Sequence, residues 1–509
     1  MRIFLAVLLV VALLLLSVAP ILYGVAGVLI QDPAAPESPP LRWSRPLANG
    51  LVISLGTGAV AVAAASCFVA AISFAPRSVR AAAWSLALLG FFIPPYVYAT
   101  ACLEFAGPAG PLRGWGGSAG ALNSNAGVIW VYGLWCFPLA ALIIDAFART
   151  IDPRIFDSAR VFAGKWSRLT RVTLRLLAPA AAVAALVAAL IAWLGFAVPS
   201  LYQVPVFSAE IHTDFSAFRD SRAAYAHASV LVLVGTVLVA LMLFVARGNS
   251  FALAGTRGRV RDASPRRLHL LLSSVALFAI TGVSTLLPIL TLVRGARGPA
   301  AVAEAWSTAR AELAASLFLA GASATLILIL GFGLAFAFRS RAPIALAVTL
   351  PFLVSGPAFA ICLIAMWNHA DARAAIYDGP GILVLAETAR YLFVGYFVSL
   401  AALRSASPEL EDAARAAGAN WVRRLTRVVL PQCAPWLAAG WLVAFVLTFG
   451  DADAVVLLAP PGITPLPSRI YGLMHYGPSA TVAGLSLIVA CVCALFALPF
   501  LRVFLRLTR

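Results

Sequence analysis

Charge is scarce in this sequence. Only 11% of its 509 residues are Asp, Glu, Lys or Arg, whereas 62% are hydrophobic and the mean hydropathy is +0.96. A soluble chain of this length needs far more polar side chains to cover its surface, so here the length bounds a number of bilayer crossings. Acidic residues are the rarer sign, 20 against 37 Lys and Arg, for a net charge of +17. No polar domain stands apart to carry a nucleic-acid site, and nucleic acid is not expected as a partner. The only Gly-Lys pair, Gly164-Lys165, precedes Trp166 rather than Ser or Thr, so no phosphate-cradling loop is present. The five histidines have no paired ligand spacing. The seven cysteines lie in or beside apolar stretches, without zinc-finger or thioredoxin spacing. Neither a metal site, a bound cofactor nor a catalytic constellation is expected.

What is present is long apolar segments without the alternation of barrel strands, which predicts helices. Candidate spans are 4–30, 51–74, 81–103, 127–144, 177–198, 226–245, 269–293, 313–338, 344–367, 382–403, 435–458 and 481–501. Each approaches the roughly 20 residues a bilayer crossing needs. The first is too long for a signal-peptide core and reads as a retained span. Basic residues crowd three loops, around Arg149–Arg175, Arg247–Arg267 and Arg404–Arg427. Such clusters stay on the cytoplasmic side, which places both termini there, in the cytoplasmic (inner) membrane.

The chain also repeats itself. Asp157-Ser-Ala-Arg160 resembles Asp412-Ala-Ala-Arg415, 255 residues on, and Trp166 answers Trp421 at the same offset. Arg168-Leu-Thr-Arg-Val172 matches Arg424-Leu-Thr-Arg-Val428 letter for letter, and Pro153 pairs with Pro408. Six predicted spans separate the matching loops, an even number, so the halves run parallel. The expected division is a first repeat at 1–248 with its loop at about 150–176, a basic cytoplasmic linker at 249–268, and a second repeat at 269–509 with its loop at about 405–431. The fold class is an all-α polytopic membrane protein of about twelve transmembrane helices in two parallel six-helix repeats.

In the second loop, Ser407 precedes Pro408 at a helix start, and Glu409, Glu411 and Asp412 favour the helix dipole. Ala413, Ala414, Ala416 and Ala417 give a smooth face, Gly418 permits a left-handed stop, and Asn420 is placed to cap a second short helix ending near Leu430-Pro431. Asp412-Ala-Ala-Arg-Ala-Ala-Gly418 followed by Val428-Val-Leu-Pro431 resembles the conserved "EAA" loop of ABC importer permeases, with Asp412 for Glu and Val428 for Ile. The fused two-half layout resembles the iron(III) and thiamine importer permeases. The resemblance implies a type I permease fold whose pathway is coupled to a separate cytoplasmic ATPase pair (a homodimer), which hydrolyses ATP, and supplied by an extracytoplasmic binding protein. It implies that Asp412, Ala413, Ala414, Gly418, Leu430 and Pro431 form the ATPase contact. The first loop is a degenerate copy. Asp157 and Ala159 are kept, Ala163 holds the glycine position, Gly164 comes one residue late, and Arg175 replaces the proline.

Ionisable residues inside apolar bands complete the candidates, since burying charge in a bilayer costs roughly 3 kcal/mol on insertion scales. Glu387 and Arg390 are three apart on one predicted helix and placed to pair across a turn. Asp451 and Asp453 sit near the end of the next span; Asp451 also resembles an acidic position of iron and thiamine permeases. All four are candidates for a polar pathway lining, against a purely structural role. Their first-half counterparts of the two aspartates, Gly195 and Ala197, are uncharged. The expected substrate is iron(III), with thiamine, polyamine and phosphonate as alternatives. An ion-driven secondary transporter is the rival reading, because Pro94-Pro95 and Ser355-Gly356-Pro357 interrupt spans in corresponding positions.

Overall fold

The computed structural model describes residues 2–30, 43–106, 110–111, 123–162, 164–247, 267–368, 376–476 and 479–507. Of the expected linker, 249–266 lies outside the described residues.

Ten elements occur in order among the described residues of the first half. They are α1 (2–30, with a π-bulge at Leu14–Val18), α2 (Ser44–Phe74), α3 (Arg77–Phe92), α4 (Pro95–Ala106), α5 (Asn125–Ala148), α6 (Pro153–Phe162), α7 (165–194, π-bulge at Leu169–Thr173), α8 (Ala197–Leu201), α9 (Phe207–Ser216) and α10 (Ser221–Arg247). The same order follows again: α11 (267–295, π-bulge at Gly282–Leu286), α12 (Pro299–Phe338), α13 (Ala342–Leu353), α14 (Gly356–Trp367), α15 (Gly381–Ser405), α16 (Pro408–Ala416), α17 (421–449, π-bulge at Leu425–Val429), α18 (Val455–Leu458), α19 (Leu466–Tyr476) and α20 (Ser479–Leu507). Even the π-bulges recur at matching places.

Among the described residues ten helical runs are long and apolar enough to cross a membrane, or twelve if each of two sharply bent pairs counts as one crossing. The bent pairs are α3–α4, at 98°, and α13–α14, at 102°. The predicted spans 81–103 and 344–367 are therefore not straight helices. Proline has no N–H to donate and pushes the residue before it out of the helical region. Ile93 accordingly takes ψ 127° ahead of Pro94-Pro95; in the second half the chain is extended at Val354, ψ 134°, ahead of Ser355-Gly356-Pro357. No arm exceeds 16 residues, or ~24 Å at 1.5 Å per residue, too short to cross a ~30 Å core alone. Another span is longer than expected, since α12 begins at Pro299 rather than near Leu313.

The first helix of each half packs on the other half. Leu9 and Leu13 of α1 are buried with Leu334, Val348, Leu392 and Tyr396, and a Cβ at Gly24 would meet Cys362 Sγ at 2.5 Å. Reciprocally, Thr285 on α11 donates its hydroxyl to the carbonyl of Leu86 at 3.0 Å. The outward face of α10 is apolar and uncovered, with Leu233 64% and Phe244 76% exposed. A water-facing surface rarely carries so continuous an apolar stripe, whereas lipid accommodates it.

Without a hydrophobic force between helices in lipid, close packing holds the bundle, and small residues permit it. A backbone-to-backbone approach of this kind joins α12 to α15. A Cβ at Gly395 would lie 2.2 Å from the carbonyl oxygen of Ile327, and one at Gly331 would lie 2.4 Å from the carbonyl carbon of Gly395. Both neighbours are backbone and cannot swing away. Gly395→Ala is therefore expected to destabilise the protein by about 1–3 kcal/mol, while Gly321→Ala on the same α12, where a Cβ meets open space, is tolerated. Thermal unfolding in detergent micelles checks the pair, and equal midpoints would refute this packing.

Candidate functional site: a buried polar cluster and two exposed loops

Each broken pair leaves a carbonyl at the C-terminal end of its first arm, and a buried carbonyl without a donor is costly. The two halves solve this with different side chains at equivalent positions. Trp135 on α5 donates its indole N–H to the carbonyl of Ile93 at 2.7 Å. Arg390 on α15, 255 residues later, donates Nη1 to the carbonyl of Val354 at 3.3 Å. Arginine has further donors, and these build the cluster.

Arg390 Nε donates to Asp451 Oδ2 at 3.1 Å, and the Tyr391 hydroxyl donates to the same oxygen at 3.1 Å. The other carboxylate oxygen, Oδ1, accepts the backbone N–H of Asp453 at 2.7 Å and that of Ala454 at 3.4 Å. Asp451 is thus surrounded by donors on both oxygens, as a buried carboxylate must be. The across-turn pairing of Glu387 with Arg390 is not formed. Arg390 turns instead to the next helix, and both oxygens of Glu387, which is 2% exposed, have no hydrogen-bond partner. Glu387 lines a small cavity with Asp451.

Asp453 reaches across to the first half. Its carboxylate accepts the backbone N–H groups of Ala197 at 3.0 Å and Phe196 at 3.4 Å, at the start of α8. Beside it, the Ser200 and Tyr471 hydroxyls are 2.7 Å apart, and a Cβ at Gly450 would touch Pro94 at 2.5 Å. The four charged candidates therefore divide. Arg390, Asp451 and Asp453 form one connected network that ends on the seam between the halves, and Glu387 stands beside it unpaired. Tyr391, Ser200 and Tyr471 were not anticipated. A signal existed: Ala197, which Asp453 contacts, is its own repeat counterpart at the 256-residue offset, and a residue next to its counterpart lies at the symmetry axis.

The second site is the pair of loops. In the second, α16 has no buried residue, with Asp412 and Ala413 exposed and Ala414 half-buried. Its end is a Schellman turn: Ala419 N–H donates to the Ala414 carbonyl and Gly418 N–H to the Arg415 carbonyl, both at 3.0 Å, with Gly418 at φ +78°. Asn420 caps the following helix, accepting the Arg423 N–H at 2.8 Å. Ser407 occupies the cap position of α16 without a capping bond; its hydroxyl donates to Glu409 instead, which holds that carboxyl below its usual range. The Ser407 N–H is taken by Gln432 at 2.9 Å, which ties the loop to α17 next to Leu430 and Pro431. The first loop differs. Ala163 and the side chain of Asp157 lie outside the described residues, and Ala159 is half-buried. Gly164 does not take a left-handed φ; its carbonyl accepts the Arg168 N–H at 2.9 Å, so it opens the next helix rather than closing α6. The exposed tip of α6 is apolar, with Phe162 88% and Val161 77% exposed.

Removing one member of a buried ion pair strands the other, at about 3–5 kcal/mol, whereas replacing both is often tolerated. Asp451→Ala is expected to cost that much, Arg390→Met with Asp451→Leu to recover most of it, and Glu387→Gln to be neutral. Denaturant unfolding of the purified variants measures all three. A fully additive double variant would show that Arg390 and Asp451 do not act as a pair.

Residues 327–506 match the family described as binding-protein-dependent transport system inner membrane component. A putative 2-aminoethylphosphonate transport system permease protein of Salmonella paratyphi A is 29% identical over 140 residues, 26% of this chain and 53% of that protein. The spermidine/putrescine transport system permease protein of Escherichia coli is 32% identical over 78 residues, 15% of this chain and 30% of the relative. The chain thus spans about half the length, or less, of these curated relatives. Their names carry a phosphonate and polyamines, and the expectation of iron(III) finds no support among them. The matched stretch holds α15, the second loop and the acidic cluster, and over that stretch the chain is similar to binding-protein-dependent permeases.

Proposed function

We propose that the chain is the transmembrane permease subunit of an ATP-binding-cassette importer, with the substrate pathway along the seam between repeats 1–248 and 269–509. The observation that carries this is α16: a helix with no buried residue, closed by a left-handed glycine, inside the stretch matched to the permease family. A short helix with no buried residue that is anchored at both ends suits docking into a groove on a partner. The partner is a pair of cytoplasmic ATPase subunits, and an extracytoplasmic binding protein delivers the solute. In this reading the termini and basic loops are cytoplasmic, and the chain binds no cofactor and is no enzyme by itself. The relatives' names favour a phosphonate or a polyamine over iron(III) or thiamine.

Closure of the ATPase pair on ATP would draw α6 and α16 together, and the rigid α7 and α17 that follow them would carry the movement to the seam. A ligand moves such an equilibrium only through differential contacts in its two states, and here the loops supply them. The two docks are unequal. Asp412, Ala413, Ala414 and Gly418 present a small, polar-edged surface, while α6 presents Val161 and Phe162. The sharp bends at Pro94 and Ser355 also suit an ion-driven transporter, and the experiment separates the readings.

With the chain in proteoliposomes beside its ATPase, Gly418→Ala forces a side chain into a left-handed turn at about 1–2 kcal/mol and is expected to cut stimulation of ATP hydrolysis several-fold. Gly164→Ala, with ordinary backbone and open space around it, is expected to leave it unchanged. Solute accumulation driven by an ion gradient without ATPase would overturn the reading.

A further inference from the structure

Three carboxylates lie near the seam, Glu387 and Asp451 buried and Asp453 half-buried, and their surroundings differ sharply. Asp451 has donors on both oxygens, and Asp453 has two backbone N–H groups. Glu387 has none, although it is 2% exposed and in the low-dielectric interior. Arg390, whose guanidinium is already bonded to Asp451 and the Val354 carbonyl, is the one cation in this cluster. An ionised carboxylate left alone in such a place is expensive. The cluster is short of one compact positive donor.

We propose that the cavity beside Glu387 is a receptor for a primary ammonium group, the cationic end of the transported solute. The inference rests on the permease reading and gives it a substrate class. The cavity has a volume of about 20 Å³, room for one water-sized group, and is walled by Ser316 and Ala320 of α12, Leu383 of α15, Thr448 of α17 and Val455 of α18. An ammonium group has that size and three donors. Glu387 supplies two free acceptor oxygens. The Thr448 hydroxyl, which donates to the Ala444 carbonyl at 2.9 Å, keeps its lone pairs for a second. The third is the Ser316 hydroxyl, which already accepts the Leu466 N–H at 2.7 Å and has a lone pair left.

Geometry favours an ammonium group over a metal ion, because among the described residues no three carboxylate, histidine or cysteine side chains converge to hold one. The receptor also adjoins the seam. Asp451 forms part of its wall, and the adjoining Asp453 lies on the seam itself. The names of the two relatives agree, since 2-aminoethylphosphonate, putrescine and spermidine all carry a primary amine.

The test is direct binding of radiolabelled putrescine and 2-aminoethylphosphonate to the purified full-length chain in nanodiscs, with no ATPase or binding protein present. Methylamine is expected to compete, and tetramethylammonium, too bulky for the cavity, is not. Ethylphosphonate, which lacks the amine, is not expected to compete either. Glu387→Gln should weaken amine binding by about tenfold to a hundredfold, the loss that follows removal of a charged hydrogen-bond partner. Glu387→Asp should retain part of it, and Glu304→Gln, at an exposed carboxylate on α12, all of it. Ala320→Val, which fills the cavity from α12, should weaken binding as well, so the answer does not rest on one variant. Absence of binding by the wild-type chain, equal binding by Glu387→Gln, or competition by ethylphosphonate or tetramethylammonium would overturn the proposal. Stimulation of the partner ATPase is measured on the same preparations. If stimulation persists without amine binding, only the receptor fails; if stimulation is also absent, the permease reading fails with it.

Discussion

A buried carboxylate in a bilayer protein must find its donors within the protein, and this requirement organises the centre of the molecule. The bends at Pro94 and Ser355 free carbonyls that need donors, and the side chains recruited to them fix how α5 and α15 sit against the broken pairs. Tryptophan suffices in the first half. In the second, arginine satisfies the carbonyl but brings a charge, and that charge in turn requires Asp451. Asp451 then orders the turn that aims Asp453 across the seam at Phe196 and Ala197. One chain of hydrogen bonds thus runs from the break in α13–α14 to the first half.

The duplication explains why this chain of bonds is one-sided. Residues far from the symmetry axis must be supplied twice, once per half, and the loops, π-bulges and broken pairs are. A residue at the axis can serve both halves from one copy. Asp453 meets the backbone of its own counterpart there, so an acid in the first half would place two carboxylates against each other. Gly195 is also tightly confined, since a Cβ there would meet the Tyr132 hydroxyl at 2.1 Å. Divergence of the halves at this point follows from packing and charge together. Divergence of the loops is of another kind, since Gly164 and Gly418 differ in backbone conformation and not in space.

Much of the fold could be read from the residues. Apolar length gave the helices, and Pro94-Pro95 and Ser355-Gly356-Pro357 marked the breaks. The Schellman turn at Gly418 and the cap at Asn420 are local devices written in consecutive residues. The exchange of α1 and α11 between halves was hidden, because the contacts of an all-apolar helix are a matter of shape rather than pattern. The partner of Arg390 was hidden for a similar reason. Helical spacing offered Glu387 three residues away, but Asp451 lies where the end of α17 returns to α15, and sequence distance says nothing about that. Iron(III) was inferred from the fused layout, a feature that concerns chain architecture and not the chemistry of the pathway.

The account as a whole requires the halves to part where Asp453 now joins them. Ser200 and Tyr471 flank that joint from opposite sides and can be replaced by cysteines in a chain whose native cysteines have been removed. Bridging them with a short bifunctional methanethiosulfonate, with the chain and its ATPase in proteoliposomes, should abolish ATP-driven uptake of amine solute, and reduction of the bridge should restore it. Uptake by the bridged protein at the unbridged rate would contradict the account.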